Sequence, residues 1–336
     1  MTDYNFIDDN QSLADITKTL SNAKSICLDT EFVRDFSYIP NIGLIQINYE
    51  NNIYLIDTVK CDIKPLLTIL TNKNIVKIMH SATQDCDVLY RNFNIIPTPI
   101  FDTQIAATIL GIGDNISYQK LVKKFTGKTL EKDTKLTNWS NRPLKAKQLN
   151  YAANDVRYLD IIADKLSLKL KDINRLELME EETKLLYDLT KYNNDPLNAW
   201  QKISKTNKVP YFLNYLKYYA AIREEICKTE NKLKRNLVSD EILVELAKLQ
   251  PKSEEDLKQH RLLNHKLNKK LWSQFIAVAD KVINLDEAEI KSDKKHLLNK
   301  NQEIIFNFLK LILNYFAGQN SIAPRILATS DELKQY

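Results

Sequence analysis

The clearest pattern in the chain is Ser25-Ile26-Cys27-Leu28-Asp29-Thr30-Glu31-Phe32, where side chains alternate as they do along a strand. Ile26, Leu28, Thr30 and Phe32 fall on one face, and Cys27, Asp29 and Glu31 on the other. Asp29 and Glu31 therefore point the same way from a segment apolar enough for a sheet core. Residues 43–49 and 53–57 read as two more strands, and the Glu50-Asn51-Asn52 turn between them predicts an antiparallel hairpin. A helix is expected over about residues 61–72, followed by a short apolar strand at 75–79. His80 ends that strand, and Ser81 is placed to cap a helix running to about Asn92. Ile100-Phe101 gives a fifth strand, and Asp102 or Thr103 opens the next helix. Three antiparallel strands followed by alternating helix and strand predict an α/β sandwich on a mixed sheet.

From Ser117 to Leu170 the pattern is helical, with a Lys-rich connection around residues 120–135. Pro143 is placed in the first turn of a helix whose Leu149, Ala152, Val156 and Leu159 make an apolar stripe. Beyond Leu170 no strand is predicted. Residues 175–206 read as a bridge, residues 207–288 as a bundle of helices, and residues 299–336 as a smaller helical remainder. A chain of 336 residues exceeds one average domain. The expected division is 1–190, 207–288 and 289–336.

Composition narrows the function classes. Only 5 glycines occur, and neither GxGxxG nor GxxxxGK[ST] is present, which argues against a Gly-rich phosphate loop. Cys27, Cys61, Cys86 and Cys227 are scattered, without a CxxC pair or a nearby histidine cluster. They suggest neither disulfides nor zinc, and read as reduced thiols in a cytoplasmic protein. No secretory signal is visible, and the apolar stretch from Ile304 to Ala317 is too short and too polar to span a bilayer. The net charge of +5 hides an asymmetry: residues 1–190 hold 23 Lys+Arg and 25 Asp+Glu, residues 191–336 hold 25 and 18. An acidic half and a basic half suited to a polyanion are one reading, and a solvated Lys-rich surface is the other.

Two carboxylates side by side on a buried strand repel and lose hydration unless a cation compensates. Two further acids stand in suitable surroundings. Asp85 lies in the first turns of a helix that starts where an apolar strand ends, a common site position in α/β folds. Asp155 follows Tyr151 by four residues, so the two stack on one helix face. Alone, each is equally well a helix-surface acid or a core tyrosine. Together, Asp29, Glu31, Asp85 and Asp155 supply an all-oxygen ligand set, which selects Mg²⁺ or Mn²⁺ over zinc. Two such cations about 3.5–4 Å apart serve phosphodiester hydrolysis. Tyr151, with an ordinary pKa near 10, is a poor base at neutral pH and better suited to orienting the attacking water.

On these residues a resemblance becomes specific. Asp29-Thr30-Glu31-Phe32-Val33-Arg34, with Gly43-Leu44-Ile45-Gln46, resembles the first exonuclease motif of ribonuclease D, and His80 through Asp85 resembles the second. Tyr151 through Asp155 matches the third in its tyrosine form, so the chain is identified as a member of the DEDDy 3′→5′ exonucleases; Asn150 stands where the histidine subclass has His. Asp102-Thr103-Gln104, Thr126-Gly127-Lys128, Trp139 and Arg142-Pro143-Leu144 are also similar. More loosely, Arg223, Asn236 through Asp240, Leu246-Ala247, Pro251 and Leu257 are similar to an HRDC helical domain, and Ser321 through Thr329 to part of a second one, which reads as abbreviated.

The resemblance implies an RNase H-like exonuclease sandwich followed by an all-α HRDC-like region. It implies Asp29, Glu31 and Asp155 around one divalent cation, with Asp29 and, mainly through water, Asp85 facing a second. Thr30, Phe32, His80 and Ser81 would line the pocket for the terminal nucleotide; His80 is otherwise a histidine closing a strand end. The implied activity is 3′→5′ removal of 5′-mononucleotides from RNA, with tRNA precursors as substrates and no obligate protein partner or membrane. A proofreading-type DNA exonuclease shares this core, and an RNA-binding scaffold would lack at least one of the four acids.

Overall fold

The computed structural model describes residues 3–34, 37–130, 138–193, 195–203, 209, 211–283 and 298–334. Its strands are Asn5–Ile7 (β1), Ser25–Val33 (β2), Asn41–Tyr49 (β3), Asn52–Asp57 (β4), Val76–Met79 (β5) and Ile100–Asp102 (β6). They form one mixed sheet in the order β1-β4-β3-β2-β5-β6. The β2–β3 and β3–β4 pairs are antiparallel, and β1–β4, β2–β5 and β5–β6 are parallel. The predicted hairpin and mixed sheet are therefore present. Edge strand β1 and the helix Asn10–Leu20 (α1) were not among the expected elements; three residues are too few for alternation to show.

The helices of this region are Lys64–Leu70 (α2), Thr83–Phe93 (α3), Thr103–Ile109 (α4), Tyr118–Thr126 (α5), Ala146–Arg157 (α6), Leu159–Asp172 (α7) and Leu176–Lys184 (α8). Lys120, Lys123 and Lys124 thus belong to a helix rather than to a connection, and the rest of the expected connection beyond Leu130 lies outside the described residues. α6 starts later than expected: Pro143 precedes it, and the backbone N–H of Lys145 donates to Gln148 Oε1 at 2.9 Å to close its first turn. Ala152 and Ala153 are fully buried in a core with Cys27, Leu44, Leu55 and Val156. Two alanines in succession let α6 lie close on the sheet, which brings the end of β2 within reach of its side chains.

Ser81 does not cap α3 with its side chain. Its backbone is left-handed (φ 60°), and its N–H and that of Ala82 donate to Asp102 at 3.1 and 2.8 Å. The same carboxylate accepts from Gln104 N at 2.7 Å and so caps α4 as well. One acid at the end of β6 holds the starts of two helices. Inside β5, fully buried Lys77 donates to the carbonyls of Asn72 (2.8 Å) and Ile75 (2.6 Å), and burial lowers its ammonium to about 8.

The chain divides into two units. The first comprises residues 1–33, 40–188 and 298–336, and the second residues 34–39 and 189–297. The last segment, expected to stand apart, belongs with the sheet-bearing unit. Arg175 donates to Ile109 O (2.9 Å) and Ser321 O (3.1 Å), and Ala323 N to Thr108 O (3.1 Å). Gly111, at φ +64°, is tight against this segment: a Cβ there would lie 2.7 Å from Ser321 O.

The second unit is built on the helices Phe212–Thr229 (α9), Lys234–Leu237 (α10) and Asp240–Leu249 (α11), with shorter helical turns to Ile283. Its core holds Phe212, Leu216, Tyr219, Leu243, Leu246, Trp272 and Phe275. Buried Arg223 donates to Val238 O (2.9 Å) and Asp240 Oδ1 (2.7 Å), tying α9 to the start of α11. Among the described residues no helix is long and apolar enough to cross a membrane.

Candidate active site

The site forms where β5 stops and β2 continues. β5 pairs with β2 only through Ser25, Ile26 and Cys27, so beyond Cys27 no strand of the described residues lies beside that edge of β2. Asp85, from the first turn of α3, fills the gap. Its Oδ1 accepts from Thr30 N (3.1 Å) and Thr30 Oγ1 (2.5 Å). On the other edge β2 stays paired with β3, but the register shifts between Glu31 and Phe32 because Gly43 is an extra residue in β3. Such bulges bend a strand beside a site. Here the bulge also lets another backbone approach: a Cβ on Gly43 would lie 2.3 Å from Trp139 O.

Trp139 is held there by Arg142, whose guanidinium donates to Trp139 O (2.7 Å), Gly43 O (2.7 Å) and both oxygens of Asp57 (2.6 Å each). The Trp139 ring in turn lies 6.4 Å from that of Tyr151. In the sequence, Arg142 and Trp139 stand out only as similarities to the family. Their shared task was hidden, because Arg142 and Asp57 are 85 residues apart.

The structure brings Asp29, Glu31 and Asp155 together: one oxygen from each lies within 4.8 Å of the other two. All three are half-buried, whereas Asp85 is buried. The Asp29 carboxyl is held well above the usual carboxylate range, by burial first and then by the charges of Asp85, Asp155 and Glu31. Burial pushes Asp85 up to about 7, against the hydrogen bonds from Thr30. This is the signature of anions gathered without compensation, which a hard cation would supply. The donor set is all carboxylate, with no histidine or cysteine among the clustered ligand atoms, so it fits Mg²⁺ or Mn²⁺.

Tyr151 lies one turn before Asp155 on α6 and hydrogen-bonds to it. Burial, then Asp155, Glu31 and Asp29, hold its hydroxyl far above the ordinary phenol range, so it is a hydrogen-bonding group and no phenolate. His80 is half-buried, with Nδ1 2.9 Å from Thr103 Oγ1 and its ring 5.7 Å from that of Tyr118. Burial lowers its pKa, so the ring is neutral at neutral pH. Phe32 is half-buried at the end of β2, and the Ser81 side chain is exposed.

The 3′-5′ exonuclease family matches residues 4–171 of this chain. Over 326 residues the chain is 38% identical to Ribonuclease D of Bartonella henselae, covering 94% of this chain and 79% of that one. With Ribonuclease D of Zymomonas mobilis it shares 33% identity over 334 residues, covering 98% and 86%. The crystal structure of Escherichia coli RNase D, an exoribonuclease involved in structured RNA processing, is similar at a TM-score of 0.85 and 26% identity, covering 99% of this chain and 90% of that chain. The catalytic core of RRP6 from Trypanosoma brucei has the same fold at a TM-score of 0.62 and 20% identity, over 84% of this chain and 81% of that one. A carboxylate cluster at the open edge of β2 and relatives matched along almost the whole chain lead to one conclusion: this chain belongs to the ribonuclease D family of 3′-5′ exoribonucleases.

Proposed function

We propose that the chain removes 5′-mononucleotides from the 3′ ends of RNA by divalent-cation-dependent hydrolysis, and that tRNA precursors are among its substrates. The observation that carries this reading is the convergence of Asp29, Glu31 and Asp155 to within 4.8 Å, beside a buried Asp85. Asp29, Glu31 and Asp155 would hold one cation, and Asp29 with Asp85 a second. Asp85 would act mainly through water, since its Oδ1 is engaged by Thr30. Two divalent cations there would make water nucleophilic and stabilise the leaving oxyanion.

The chain's own residues supply the rest. Tyr151, braced by Trp139 and hydrogen-bonded to Asp155, orients the attacking water. Phe32, His80 and Ser81 line the terminal-nucleotide pocket in this reading, and Thr30 contributes by fixing Asp85. We read the helices between residues 207 and 288 as an HRDC-like module that supplies phosphate contacts to RNA. The four cysteines are free and buried, which fits a reducing cytoplasm.

The test is incubation of the full chain with 3′-extended tRNA, single-stranded RNA and single-stranded DNA, each with Mg²⁺, Mn²⁺ or EDTA. The reading requires stepwise 3′ shortening of RNA that EDTA abolishes. Shortening of DNA alone would replace it with a DNA exonuclease, and binding without cleavage would leave a scaffold.

A further inference from the structure

Gln46 has 0% exposure, and neither its Oε1 nor its Nε2 has a hydrogen-bond partner among the described residues. An unpaired buried amide costs stability that an apolar side chain of the same shape would not. Its neighbours make the choice of residue stranger still. On the same face of the sheet Gln46 lies between Leu44 along β3 and Leu55 across β4, both fully buried. A leucine or methionine would suit that site.

Asn48, two residues along the same face, is served at one end only, its Oδ1 having no partner among the described residues. Its Nδ2 donates to the carbonyls of Val156 (3.2 Å) and Arg157 (3.3 Å) at the end of α6. Gln46 has no such carbonyl. What lies beside it is Asp29, its direct partner in the β2–β3 register. Directly paired residues share a face, with Cβ atoms about 4.5–5.5 Å apart. A buried amide with both ends unpaired therefore adjoins the carboxylate at the centre of the acidic cluster.

We propose that Gln46 is a positioning residue for that cluster. Its Nε2 donates to the Asp29 carboxylate once a cation has drawn the acids into ligating geometry, and so fixes which oxygen of Asp29 faces the ion. The stability lost in the cation-free protein is the cost of a donor held ready for the loaded one. This inference rests on the reading of the cluster as a cation site.

The experiment is a Mn²⁺ titration of the full chain, followed by the electron paramagnetic resonance of free Mn²⁺, with thermal unfolding of the cation-free protein measured alongside. Gln46→Met and Gln46→Leu are compared with the unaltered protein. Outer partners of metal ligands typically contribute about 10–100-fold in affinity, so a loss in that range is expected in both variants. Their cation-free melting temperatures should be unchanged or higher. A merely structural glutamine would instead lower the melting temperature and leave Mn²⁺ affinity alone. Affinity within about twofold of the unaltered protein in either folded variant overturns the proposal whatever its melting temperature. If the unaltered protein itself binds no Mn²⁺, the cation-site reading fails and this inference with it.

Discussion

Arg142 and Asp57 form a buried two-pronged ion pair, Nε to Oδ2 and Nη2 to Oδ1, both at 2.6 Å. The Asp57 side chain has 0% exposure and that of Arg142 17%. Burial alone would raise the Asp57 pKa, but the hydrogen bonds from Arg142 and from Val59 N–H outweigh it and hold the carboxyl below its ordinary range. The remaining Arg142 donors fasten Gly43 and Trp139 to each other. A pair that holds no place in the acidic cluster, with Asp57 across β3 from Glu31, thus sets the wall against which Tyr151 rests.

Replacing Arg142 with Ala leaves Asp57 buried and unpaired, which typically costs about 3–5 kcal/mol. Arg142→Lys should recover little of this, because one ammonium cannot reproduce two parallel bonds. Urea unfolding measures both, and a loss below about 1 kcal/mol for Arg142→Ala would show that the pair is not a clamp. The depressed Asp57 adds stability that is present above its unfolded pKa of about 3.9 and lost as pH falls through its lower folded value. The gap between unaltered and Arg142→Ala proteins should accordingly narrow in acid.

The acidic cluster has the opposite sign. Asp29 and Asp85 bind a proton more readily in the folded chain, Asp85 at about 7. Each therefore contributes stability below about pH 4 that is lost as pH rises through the folded value. In EDTA, the melting temperature should fall more between about pH 5 and pH 8 for the unaltered protein than for Asp85→Asn. Mg²⁺ added at the upper pH should restore it. Parallel pH profiles for the two proteins would contradict the account.

Tyr151→Phe removes one hydroxyl and leaves Trp139 its packing partner. Groups that orient or transfer protons contribute about 10²–10⁴-fold, and single-turnover rates on RNA should fall within that range. Mn²⁺ affinity should be unchanged, because a hydroxyl held far above the ordinary phenol range stays protonated and is a poor cation ligand. An unaltered rate would remove Tyr151 from the mechanism.

In the second unit the basic residues are not equivalent. Lys234 is an ion-pair partner of Glu224, whose side chain is only 2% exposed, and its ammonium lies 5.8 Å from the centre of the Tyr38 ring. Lys228 and Lys270 are exposed. Neutralising either exposed lysine should reduce the salt slope of single-stranded RNA binding by about 0.7 for each phosphate that the lysine neutralises. Lys234→Gln should instead destabilise the unit by stranding Glu224. Fluorescence anisotropy at several salt concentrations, with unfolding curves, separates the two effects. Identical slopes for Lys228→Gln, Lys270→Gln and the unaltered protein would make those lysines a solvated surface.

Strand β2 and its two acids were legible because alternation over nine residues is long enough to show. Tyr151 and Asp155 were legible as a pair because four residues make one helical turn. What joins the strand to the helix was not: the gap that Asp85 fills exists only because β5 ends early. Asp102 read as the start of one helix, yet it also holds Ala82, 20 residues earlier, a partner that no local pattern marks. Arg142 and Asp57 were invisible as a pair for the same reason. Gln46 stood in the sequence only as part of the resemblance around Gly43-Leu44-Ile45-Gln46, and packing alone reveals that both ends of its amide lack partners among the described residues.

In the proposed mechanism the carboxylates gathered at the end of β2 carry out the hydrolysis. The most direct measurement is the single-turnover rate on a 5′-labelled single-stranded RNA at saturating Mg²⁺, for the unaltered protein and for Asp155→Ala. Circular dichroism and melting would show first that the variant is folded. Stepwise 3′ shortening by the unaltered protein and its near-complete loss in Asp155→Ala are expected. Undiminished shortening by the folded variant would contradict the proposed mechanism.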